Sequence, residues 1–71
     1  MGRWKSIPEM IAEYENNIAV MQSTVDTLIY RADQTPSLTE AFRLRRDANK
    51  LSDAVGSSQY AVKLMREYLH G

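Results

Sequence analysis

A chain of 71 residues forms one small domain, and a domain of that size buries only roughly 60% of its unfolded surface, so a solitary core is marginal. Cysteine is absent and the single histidine, His70, is next to last; disulfides and thiolate metal sites are excluded, no cofactor or metal is expected, and oligomerisation remains as the means of support. Nine basic and nine acidic residues balance to a formal charge of zero, which argues against a general nucleic-acid or membrane-surface binder.

The lead-in 1–5 carries Arg3 and Lys5 with no apolar stretch behind them, so it does not read as an export signal. No apolar run approaches the ~18 residues of a membrane span. The expectation is a cytoplasmic protein with no membrane partner. Ser6-Ile7-Pro8-Glu9 then forms a capping-box pattern, a hydroxyl at the N-cap and a carboxylate three residues on. Pro8 falls in the first turn, where its missing N–H costs nothing. From there Ile7, Ile11, Tyr14, Ile18, Met21, Val25, Leu28 and Ala32 alternate at spacings of four and three. That period predicts a first helix over about 7–32 with one narrow stripe facing a partner helix.

The connection is 33–36. Pro36 biases Thr35 out of the α region and ends the first helix. Ser37-Leu38-Thr39-Glu40 repeats the capping-box pattern, and a second stripe follows: Ala41, Leu44, Ala48, Leu51, Val55, Ser58, Val62, Met65 and Leu69. A second helix is predicted over about 38–69. Gly56 costs that helix about 1 kcal/mol relative to alanine. The heptad keeps its phase across it, so a continuous helix, bent there, is favoured over a break at Gly56-Ser57-Ser58.

The short connection folds the helices back antiparallel. Paired about the turn, position i of the first helix should face position 70 minus i of the second. The longer second helix should then overhang with Met65, Tyr68 and Leu69, and Trp4 should fold onto them. The second stripe is rich in small residues and the first in bulky ones, which suits an interdigitated pair. The fold class is therefore all-α: one domain over 1–71, an antiparallel two-helix hairpin of coiled-coil type.

Seven large apolar residues lie off the seam: Met10, Val20, Ile29, Tyr30, Phe42, Tyr60 and Leu64. A lone hairpin leaves most of them in water. Together they imply a second covered face, most simply in a homodimer forming a four-helix bundle, with docking of a different protein as the alternative use. Charge is segregated as well. Glu9, Glu13, Glu15 and Asp26 have no basic neighbour among them along the first helix, while Arg31, Arg43, Arg45, Arg46 and Lys50 gather near the turn, offset by Asp33, Glu40 and Asp47. The segregation reads as a solvated surface, as an orientation signal in an antiparallel dimer, or as an anion or nucleic-acid contact through Arg43, Arg46 and Lys50, which share one helix side.

No catalytic constellation is apparent. Glu9 and Glu13 are off the seam, Ser57-Ser58 has no histidine base near, and no glycine-rich phosphate loop exists. The long heptad-phased helices do not match a helix-turn-helix DNA reader. The expected function is a non-enzymatic helical protein–protein interaction module, a small regulator, inhibitor or adaptor. A nucleic-acid-associated dimer and a structural subunit of a larger assembly are the alternatives.

Overall fold

The computed structural model describes residues 5–71. They form two helices, α1 (Ile7–Gln34) and α2 (Leu38–His70), packed against each other. The expected position of Trp4 lies outside the described residues.

Both helix starts follow from their caps, but not in the same way. At α1 the box closes on both arms: the Ser6 hydroxyl accepts from the Glu9 N–H at 3.3 Å, and the Glu9 carboxylate accepts from the Ser6 N–H at 2.9 Å. At α2 the Ser37 hydroxyl accepts from the Glu40 N–H at 3.2 Å. The second arm differs from the expectation: the Ser37 N–H donates to the Thr35 hydroxyl at 3.3 Å, and Glu40 faces Arg43 at 3.7 Å. The threonine that caps the end of α1 thus also serves the start of α2. Its own N–H closes the last turn onto the Arg31 carbonyl at 3.0 Å. α1 runs two residues past the expected end, and α2 runs unbroken through Gly56.

The buried residues are Ile11, Val25 and Ala32 from α1 and Ala48, Val55 and Val62 from α2. The last three are spaced by sevens, as a heptad seam requires. Ile7, Ile18, Met21 and Leu28 and, across from them, Ala41, Leu44, Leu51, Ser58 and Met65 are half-buried. Tyr14 and Leu69, both expected in the seam, are exposed. Among the described residues no side chain is completely shielded.

The register differs from the symmetric expectation. That expectation put Glu15 opposite position 55 and Asp33 opposite position 37. Instead Glu15 pairs with Arg66 and Asp33 with Arg45, and Glu15 and Ile18 share a cleft with Gln59 and Val62. Even allowing for the reach of arginine, α2 is displaced by one to two turns. The cause lies in the connection. Thr35 and Ser37 are both extended, with ψ of 137° and 118°, and each extended residue advances the chain about 3.3 Å. The first turn of α2 therefore rises beyond the end of α1, and the overhang expected at the other end shrinks. Met65 is half-buried, whereas Leu38 is 70% exposed.

The hairpin measures 50 × 29 × 13 Å. The smallest dimension is close to the ~10–12 Å diameter of a single helix. Its radius of gyration, 16.1 Å, exceeds the ~11 Å of a compact domain of this length. This is a slab one helix thick, with two broad faces.

A Cβ added at Gly56 meets no atom within 4 Å. Gly56→Ala should therefore act through helix propensity alone, stabilising the protein by about 0.5–1 kcal/mol. The midpoint of thermal unfolding followed by circular dichroism should rise by several degrees; a fall would show that this position is sterically occupied.

Candidate functional site

The seam leaves two broad faces and two outer edges. Heptad phase assigns residues to each, and the ion pairs and grooves fix which sides of the two helices lie together. One broad face is crossed by Asp33–Arg45 and Glu15–Arg66. It also carries Ile29 from α1 and Leu38, Phe42 and Gln59 from α2. We call it the bridged face. The other carries Met10, Glu13, Asn17, Val20 and Arg31 from α1 and Arg43, Lys50, Ala54, Ala61, Leu64 and Tyr68 from α2. Tyr14, Asn17, Val20 and Met21 share a shallow groove there with Ser58, and nearer the turn Arg31 and Gln34 share another with Glu40 and Leu44. Its ion pairs are local in sequence: Lys5–Glu13 at 2.6 Å and Glu40–Arg43 at 3.7 Å. Among the described residues no ion pair crosses between the helices on this unbridged face.

The seven apolar candidates do not share one surface. Met10, Val20 and Leu64 lie on the unbridged face, Ile29 and Phe42 on the bridged face, and Tyr30 and Tyr60 on the outer edges of α1 and α2. Met10 is half-buried. The others are exposed, among them Tyr30 at 66%, Phe42 at 66%, Tyr60 at 61% and Val20 at 59%. Values this high separate them from ordinary seam flank and leave them available to a partner. Sequence reasoning missed Leu38 and Tyr68, which are equally open. The first was hidden by its place in a capping motif and the second by its assignment to an overhang.

Arg43, Arg46 and Lys50 remain on one side of α2 and are exposed. Arg43 and Arg46 line a shallow cleft with Thr39 and Phe42. Arg45 points to the opposite side, where it holds Asp33. The basic cluster is therefore a surface feature with an aromatic ring beside it.

Three carboxylates of α1 are engaged structurally. Glu13 holds Lys5, Glu15 holds Arg66, and Glu9 closes the cap of α1. The Glu9 carboxyl lies below its ordinary pKa of 4.5, first because the Ser6 backbone N–H donates to it and next because the Ser6 side chain does. Among the described residues no three His, Cys, Asp or Glu side chains gather closely enough to hold a metal ion. Among the described residues no helix is long and apolar enough to cross a membrane.

Comparison with protein-family models, with curated proteins and with solved structures finds no match for this chain. The functional reading therefore rests on the geometry.

A depressed folded-state pKa means that ionised Glu9 adds stability above its ordinary value of 4.5, and that this addition is lost as pH falls through the folded-state value. Glu9→Gln keeps the shape and removes the charge. The stability difference between the native and Glu9→Gln proteins should be complete at about pH 7 and shrink as the pH drops below 4.5. Denaturant titrations at several pH values measure it; a difference constant down to the acid limit would contradict the capping role.

Proposed function

We propose that this protein is a non-enzymatic helical interaction module. It self-associates into a four-helix bundle in the cytoplasm and acts as a small regulator or adaptor by docking another protein through the surface left open. One observation carries this reading: a slab one helix thick, with no completely shielded side chain among the described residues, exposes ten large apolar residues among them. Its accessible surface is 5604 Å², against the ~4,500 Å² of a compact monomer of this mass. Apolar surface in that excess is stabilised by a protein partner.

Four-helix bundles bury a second stripe on each helix, and two copies of a hairpin supply one without further chain. Exposed aromatic residues with arginines around them, as at Phe42 with Arg43 and Arg46, have the composition of protein-binding hot spots. A second reading draws on the same corner. Arg43, Arg46 and Lys50 on one side of α2 are placed as phosphate contacts would be, doubled by dimer symmetry.

Light scattering after size exclusion, across a hundredfold concentration range, tests the main reading. The expected mass is twice the 8.1 kDa of the chain; a constant single-chain mass would overturn self-association. A gel shift with duplex and single-stranded DNA at low salt tests the second reading. Nucleic-acid binding requires a complex that dissolves steeply as salt rises, and the interaction-module reading expects none.

A further inference from the structure

We draw no further inference here: the strongest candidate, the unpartnered broad face of the hairpin that carries Val20, Leu64 and Tyr68, carries nothing, because both broad faces hold exposed ion pairs and exposed apolar side chains and nothing in the structure shows what covers either.

Discussion

Two helices share only one seam, and most of this structure follows from that constraint. A heptad turns two of its seven positions toward the partner helix and leaves five facing elsewhere. The seam here is well formed, with Val25 and Ala32 on one helix and Ala48, Val55 and Val62 on the other at seven-residue intervals. It nevertheless shields no side chain completely among the described residues, which supply no third element to lie over the slab. The thinness of 13 Å and the exposure of Tyr30, Phe42 and Tyr60 are two views of the same geometry. A domain this small and this flat gains stability most readily by acquiring another layer.

The three-residue connection sets how the slab is finished. Pro36 holds Thr35 extended, Ser37 is extended too, and α2 begins beyond the end of α1. That offset brings Arg45 to Asp33 and Arg66 to Glu15, both on one face. It also lifts Leu38 and Phe42 clear of the neighbouring helix. The turn thus makes the two broad faces unequal: one is tied by ion pairs between the helices, and on the other the ion pairs of the described residues, Lys5–Glu13 and Glu40–Arg43, are local in sequence. Each exposed ion pair contributes little to stability.

The proposed function draws on the surplus of exposed apolar surface. Three carboxylates of α1 are occupied in capping or in pairing: Glu9 with Ser6, Glu13 with Lys5, Glu15 with Arg66. Ten large aromatic and aliphatic residues among those described are exposed.

Much of the fold was legible in the sequence because it is local or periodic. Ser6 and Ser37 mark the helix starts through contacts three residues long, Pro36 marks the break, and the 3–4 alternation names the seam. The continuity of α2 through Gly56 followed from unbroken phase. What periodicity cannot register is offset: sliding one helix by a turn preserves every a and d position, so the displacement of α2 was decided by the extended Thr35 and Ser37. The second arm of the Ser37 cap was lost for a similar reason, since the Thr35 hydroxyl competes at equal range. The candidate surface was half legible. The sequence marked Met10, Val20, Ile29, Tyr30, Phe42, Tyr60 and Leu64 as surplus to the seam, because that needs only heptad phase. It could not say which face the inter-helix ion pairs would cross, because that depends on the offset that brings Arg45 to Asp33 and Arg66 to Glu15. Only the tertiary structure decided that Val20 and Leu64 share a face free of inter-helix ion pairs while Ile29 and Phe42 lie on the face those pairs cross.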